Sequence, residues 1–244
     1  MTTVIFVRHG RTTANTGGVL AGWTEGIGLD DTGRAQAEAT AQRLAPVRLA
    51  AVVASPLQRC QETAAALLAG RDLVLESDDR LGEAGYGEWT GKEIKVLAKD
   101  PLWKVVQAHP SAVRFPGGES LREVQARAVE LVRATSARLE AEHGPDAVWA
   151  AVSHGDVIKA VLADALGMHL DAFQRIVVDP ASVSVVRYTE LRPFVLRMND
   201  AGADLSWLQP PARRTRRARK QASSDAVIGG GAGPVGMSTA GDAA

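Results

Sequence analysis

Short apolar runs alternate with amphipathic segments along most of the chain. The runs are three to six residues long and rich in valine, isoleucine and alanine, which is typical of buried strands. They occupy residues 4–7, 50–54, 73–75 and 147–152. Apolar residues also return at helical spacing, as at Ala37, Ala41 and Leu44. The pattern therefore predicts strands and helices in alternation.

The start of one helix carries a clear capping signal. Ser55 can cap, Pro56 suits a first helical position, and Gln58 stands three residues after the serine, which together form a capping box. We expect a helix over residues 56–68. Residues 10–30 contain many glycines and threonines and predict a loop.

The order of elements defines the fold class. Alternating strands and helices predict an α/β fold, a three-layer sandwich with a mostly parallel central sheet and helices on both faces. The runs at 183–188 and 194–198 predict a final hairpin. From Pro210 a basic run and then glycine- and alanine-rich sequence follow, without apolar periodicity. We expect one domain over 1–208 and a disordered tail over 209–244.

Composition excludes several classes of protein. The 244 residues are 45% apolar and 23% charged, with zero formal net charge, which argues against wholly disordered, collagenous and membrane-spanning chains. Basic residues concentrate at 213–220, the one stretch that could attract nucleic acid, and we expect it to be merely solvated. The single cysteine, Cys60, argues against a disulfide framework and a cysteine-ligated zinc. With no secretory signal at the N-terminus, we expect a cytoplasmic protein.

Basic side chains follow the predicted strands where those strands end. His9 and Arg8 follow the first run, His154 follows the run at 147–152, and Arg59 lies in the first turn of the helix after the second run. The carboxyl ends of parallel strands meet at one edge of a sheet, so these four groups can share a crevice. Arginine donors match phosphate oxygens, and the helix after His154 adds backbone N–H groups. The sequence thus predicts a phosphate site.

The same residues lie in blocks that resemble the histidine phosphatase superfamily, branch 1, the group that contains cofactor-dependent phosphoglycerate mutase. The resemblance runs in order over roughly residues 4–190. Its blocks are Arg-His-Gly at 8–10, Asp-Asp-Thr-Gly at 30–33, Ser-Pro-Leu-Gln-Arg at 55–59, Leu-Gly-Glu at 81–83, Gly-Gly-Glu-Ser at 117–120 and Ser-His-Gly at 153–155.

The resemblance implies a catalytic role for five residues. His9 would be the nucleophile that forms a phosphohistidine, and Glu83 would protonate the leaving oxygen and then activate water. Arg8, Arg59 and His154 would bind the phosphoryl oxygens and stabilise the transition state. We expect a backbone carbonyl to hold the other ring nitrogen of His9.

Further residues are expected to bind the substrate. Asn15 would add a hydrogen bond near the phosphate, and Gly155 opens the helix after the second histidine. Tyr86 lies in a segment, Glu-Ala-Gly-Tyr-Gly at 83–87, that resembles the corresponding segment of the mutases. Gly22 follows Ala21, whereas mutases usually place a hydroxyl residue before this glycine. Two other acids, Glu62 and Glu88, are the alternative candidates for the proton donor.

The resemblance leaves the reaction open between hydrolysis and transfer. Mutases carry a long insertion after the catalytic acid, whereas only 36 residues separate Glu83 from Ser120 here. We therefore expect a phosphomonoester hydrolase that acts on a small phosphorylated metabolite. Phosphoglycerate mutase-type transfer and a catalytically weak phospho-ligand-binding protein are the alternatives. No cofactor or metal is expected, since the arginines oppose a cation, and a homodimer is left open.

Overall fold

The computed structural model describes residues 1–202, 228–229 and 231–233. The strands are Thr2–Arg8 (β1), Val52–Ala54 (β2), Leu75–Ser77 (β3), Ala147–Ser153 (β4), Val183–Tyr188 (β5) and Pro193–Asp200 (β6). They form one sheet in the order β3-β2-β4-β1-β5-β6. The first four strands in that order are parallel, and β5 and β6 run antiparallel as the predicted hairpin.

Helices cover both faces of the sheet. They are Thr13–Gly17 (α1), Asp31–Leu44 (α2), Gln58–Leu68 (α3), Ile94–Leu97 (α4), Pro101–Ala108 (α5), Leu121–His143 (α6) and Gly155–Ala165 (α7). One face packs its strand side chains on α2 and α3, and the other packs on α6 and α7. Successive strand residues point to opposite faces, which is why β1, β2, β4 and β5 contribute side chains to both cores. The predicted three-layer α/β fold is confirmed.

The capping box predicted at Ser55 is wrong. Helix α3 begins at Gln58, two residues later than expected, and its N-cap residue Leu57 makes no side-chain cap. The Ser55 hydroxyl lies 2.8 Å from Nε2 of His154, on the neighbouring strand's loop. The same oxygen accepts the N–H of Leu57 at 3.3 Å, so Ser55 closes a local turn before the helix and contacts His154 but does not cap α3.

Local differences elsewhere are small. The third strand is Leu75–Ser77 rather than residues 73–75, and the loop predicted over 10–30 contains the short helix α1. Its N-cap Thr12 and Asn15 form a capping box that the prediction did not identify. No described helix is long and apolar enough to cross a membrane.

The strand register aligns the chain positions that carry the chemistry. Arg8 pairs with Ser153 between β1 and β4, and Ala54 pairs with Val152 between β2 and β4. The next residue of each strand therefore emerges at the same carboxyl edge. The N–H of His9 donates to the Ser153 carbonyl at 3.0 Å, which joins the two histidine-bearing segments directly.

Part of the predicted tail lies against this domain. Ile228 is 1% exposed and belongs to the core cluster that includes Leu20 and Tyr86. Residues 203–227, 230 and 234–244, including the basic run at 213–220, lie outside the described residues.

Candidate active site

A cavity of about 410 Å³ opens at the carboxyl edge of the sheet. His9, Arg59 and Glu83 line it, although they are far apart in the chain. The predicted substrate-binding residues Asn15, Gly22 and Tyr86 line the same cavity. The structure thus brings together groups from three separate strand ends and their loops.

His9 is held in one orientation by the backbone. Its Nδ1 lies 2.7 Å from the Gly10 carbonyl, so the expected carbonyl contact is present. A carbonyl only accepts, so Nδ1 carries the ring hydrogen and Nε2 keeps its lone pair. Burial lowers the pKa of His9 well below its usual 6.5, and the charges of Arg59 and Arg8 lower it further. The imidazole is therefore neutral at physiological pH.

A hydroxyl ties the His9 loop to helix α3. Thr63 accepts the N–H of Gly10 at 3.1 Å and donates to the Arg59 carbonyl at 2.7 Å. Sequence reasoning missed this residue. Its position four residues after Arg59 on a helix is the signal that could have placed it beside the site.

Two buried arginines flank the histidine. Arg59 donates from Nη2 to the Gly22 carbonyl at 2.8 Å, while its buried Nη1 has no hydrogen-bond partner among the described residues. Arg8 donates from Nη1 to the Val178 carbonyl at 2.8 Å. An unpaired buried donor costs about 1–3 kcal/mol, which an anionic ligand at that atom would recover.

His154 is enclosed between polar groups from two other segments. Its Nε2 lies 2.8 Å from Ser55 Oγ, and its Nδ1 lies 3.8 Å from Oε2 of Glu83. Its ring centroid is 5.2 Å from that of His9. Burial, followed by the charge of Arg59, lowers the pKa of His154 well below 6.5.

Glu83 is a buried acid, only 3% exposed. Its Oε1 accepts the N–H of Ala84 at 3.0 Å. Burial first, and then the nearby carboxylate of Asp156, raise the pKa of Glu83 to about 7 against the opposing charge of Arg59. A carboxyl group with such a pKa can both donate and accept a proton near neutrality.

The loop that carries Glu83 is clamped from its backbone side. The Glu83 carbonyl accepts from Trp23 Nε1 at 2.6 Å and from Arg127 Nη2 at 3.0 Å. Arg127 also donates to the Arg80 carbonyl at 2.7 Å and pairs with both carboxylate oxygens of Glu119. The clamp fixes the acid by its main chain and leaves its carboxyl group facing His154.

A second buried network supports the wall of the cavity. Tyr86 donates to Oδ2 of Asp156 at 3.0 Å, and Lys159 donates to Oδ1 at 3.3 Å. The tyrosine ring packs edge-on against Phe115. Asp156 stands two residues after His154 and near Glu83, and sequence reasoning gave it no role.

The remaining predicted residues take less direct positions. Asn15 uses its carboxamide oxygen to accept from the Thr12 N–H and hydroxyl, each at 3.0 Å. Gly155 begins α7 and is buried. Glu62, a competing acid, accepts from the Leu29 N–H instead, and Glu88 is exposed. Neither of these acids lines the cavity. Glu93 does line it, but its carboxylate is half-exposed and pairs with Lys95. Glu83 is the buried acid of the cavity wall, and its carboxyl group lies beside His154.

The chain belongs to the histidine phosphatase superfamily. A family model described as histidine phosphatase superfamily (branch 1) matches residues 4–201, which include the five residues to which the resemblance gives catalytic roles. The family predicted from the sequence is therefore confirmed.

Named relatives narrow the class of enzyme. Phosphoserine phosphatase 1 of Hydrogenobacter thermophilus is 31% identical over 201 residues, which cover 82% of this chain and 92% of the relative. Glucosyl-3-phosphoglycerate phosphatase of Mycolicibacterium vanbaalenii is 32% identical over 171 residues, which cover 69% and 76%. The solved structure of a mycobacterial glucosyl-3-phosphoglycerate phosphatase with VO3 has a TM-score of 0.72 at 28% identity, and the match covers 81% of this chain and 98% of that one. These relatives support the predicted phosphatase class.

Proposed function

We propose that the protein hydrolyses small phosphomonoesters through a phosphohistidine on His9. The observation that carries this proposal is the state of that imidazole: its Nδ1 is fixed on the Gly10 carbonyl, so an unprotonated Nε2 is the nitrogen left to react. The histidine lines a cavity beside the unpaired Nη1 of Arg59.

In the first step, Nε2 of His9 attacks phosphorus and the P–O bond to the alcohol breaks. Glu83 gives its proton to the leaving oxygen, so that a neutral alcohol departs. General acid help of this kind contributes typically about 10²–10⁴-fold. Arg8, Arg59 and His154 bind the phosphoryl oxygens, where charge builds up in the transition state.

In the second step, water attacks the phosphohistidine. Glu83, now ionised, takes a proton from that water, and the bond between phosphorus and Nε2 breaks. Inorganic phosphate leaves, and the acid is protonated again for the next turnover. A pKa of about 7 suits a group that must act in both directions.

The substrate is a small phosphorylated metabolite. The cavity of about 410 Å³ is at the small end for a ligand pocket. The names of the relatives make phosphoserine and glucosyl-3-phosphoglycerate the first substrates to test. Asn15 and Tyr86 line the cavity and are the side chains placed to contact the alcohol portion.

The test is phosphate release from p-nitrophenyl phosphate and phosphoserine with EDTA present. Wild type is compared with His9→Ala and with His143→Ala, a control at the exposed end of α6. We expect metal-independent turnover that the first variant loses and the control keeps. A phosphoenzyme trapped under alkaline conditions should also disappear in His9→Ala.

Two results would contradict the proposal. Full turnover in His9→Ala would place the chemistry elsewhere. Interconversion of phosphoglycerates with 2,3-bisphosphoglycerate, without net phosphate release, would make the enzyme a mutase. Independence from metal ions, a cytoplasmic location and a homodimer stay predictions from the sequence.

A further inference from the structure

A segment from the C-terminal part of the chain reaches the active-site cavity. We call Ile228, Gly229 and residues 231–233 the strap. Gly229, Gly231 and Ala232 line the same cavity as His9 and Glu83. The strap lies beyond residue 201, where the family match ends. The strap therefore lies outside the residues that the family model matches.

Among the described residues, the strap is anchored by the side chain of Ile228 and by two backbone hydrogen bonds of Gly229. Ile228 is 1% exposed within the main core cluster. The N–H of Gly229 donates to Oδ2 of Asp156 at 2.8 Å, the same oxygen that accepts the Tyr86 hydroxyl. Burying the isoleucine side chain removes apolar surface from water, which offsets part of the entropy lost on ordering the strap.

The anchoring places backbone rather than side chains against the cavity. Gly229 has φ +74°, a conformation that favours glycine, and a Cβ there would lie 2.9 Å from Leu20 Cδ1. Gly231 adds no side chain, and Ala232 adds only a methyl group. The Gly229 carbonyl also stands 3.5 Å from Nη2 of Arg8, so the strap covers one of the phosphate-binding arginines.

From this geometry we propose that the strap is the wall of the substrate pocket that selects phosphoesters by the size of their alcohol. The inference rests on the proposed function, because it assumes that esters react at His9. A docked strap closes one side of the cavity, so compact alcohols fit and bulky ones collide with the backbone at Gly231 and Ala232. Releasing the strap opens that side and removes the discrimination.

Two full-length variants release the strap in different ways. Ile228→Asp places a charge in the apolar anchor, which is costly to bury. Gly229→Pro removes the N–H that binds Asp156 and cannot adopt φ +74°. Their matched controls are Val74→Asp, at an 87% exposed side chain, and Gly70→Pro, at an exposed glycine with the same φ of +74°.

The measurement is kcat/KM for glycerol 3-phosphate, a compact ester, and for 1-naphthyl phosphate, a bulky one. We expect the ratio of bulky to compact to rise at least tenfold in Ile228→Asp and Gly229→Pro. The controls should stay within twofold of wild type. Each ratio compares the same two leaving groups, so their intrinsic reactivities cancel between variants.

One outcome would overturn the proposal: an unchanged ratio in both strap variants. That result counts against it whether kcat/KM stays at the wild-type values or rises equally for both esters, since an equal rise would make the strap a general obstruction. Circular dichroism identifies a variant that does not fold, and the other variant then decides. Adding His9→Ala to each strap variant separates the two hypotheses. If hydrolysis survives that change, the proposed function fails, whereas a His9-dependent hydrolysis with an unchanged ratio refutes the strap alone.

Discussion

Replacing Glu83 by glutamine should stabilise the fold in a pH-dependent way. The glutamine keeps an oxygen to accept the Ala84 N–H and removes the charge from a side chain that is 3% exposed. Burial raises the pKa of Glu83 from 4.5 to about 7 in the folded protein. Such a difference corresponds to about 3 kcal/mol between the two protonation states.

The sign follows from proton binding in the two states. Below pH 4.5 the carboxyl group is protonated in both the folded and the unfolded chain and contributes nothing. Between pH 4.5 and about 7 the unfolded chain releases the proton and the folded chain keeps it, so the stability of wild type falls as pH rises. The variant lacks this penalty, and its advantage is fully developed above pH 7.

Urea unfolding at pH 5 and pH 8 measures the effect. We expect the gain in unfolding free energy from Glu83→Gln to be about 2–3 kcal/mol larger at pH 8 than at pH 5. Glu88→Gln, at an exposed acid five residues along, is the control and should show no such change. A gain of equal size at both pH values would refute the idea that burial holds the acid protonated.

Two further predictions concern groups that act through Glu83. Asp156→Asn removes the negative charge that is the second cause of the raised pKa of Glu83. The alkaline fall in kcat/KM should therefore move to lower pH by on the order of one unit. A profile that superposes on that of wild type, with the same substrate, would contradict this. Arg127→Met breaks the clamp on the acid's carbonyl and should lower kcat by roughly ten- to a hundredfold with little change in KM. Arg133→Met, at an exposed arginine on the same helix, should leave steady-state kinetics unaltered; equal losses in both variants would count against a positioning role.

The fold was predictable because its main signals are local and periodic. Apolar runs located β1, β2 and β4, and helical spacing located α2. The alternation then required a parallel sheet, whose carboxyl edge assembles His9, Arg59 and His154 whatever the details of the loops. Topology alone thus accounts for the histidines and arginines of the site.

The errors arose where a distant residue decides the outcome. Ser55 has the sequence of a cap, but its hydroxyl lies against Nε2 of His154, 99 positions away. The capping box that Thr12 and Asn15 form was not predicted, because residues 10–30 were interpreted as a loop. Nothing in the periodicity reveals that Ile228, within a glycine-rich stretch, is buried in the core cluster that includes Leu20.

Asp156 links two events that are otherwise separate in the molecule. One of its oxygens accepts the strap's Gly229 N–H, and its charge helps to raise the pKa of Glu83. Docking of the strap and protonation of the acid therefore share a coupling free energy, which is reciprocal. Because burial is the larger cause of the raised pKa, we expect that release of the strap, which opens the cavity beside Glu83 to water, lowers that pKa. Because the coupling is reciprocal, ionisation of Glu83 above pH 7 should make docking of the strap less favourable. The range of accepted esters should then widen as the solution becomes alkaline.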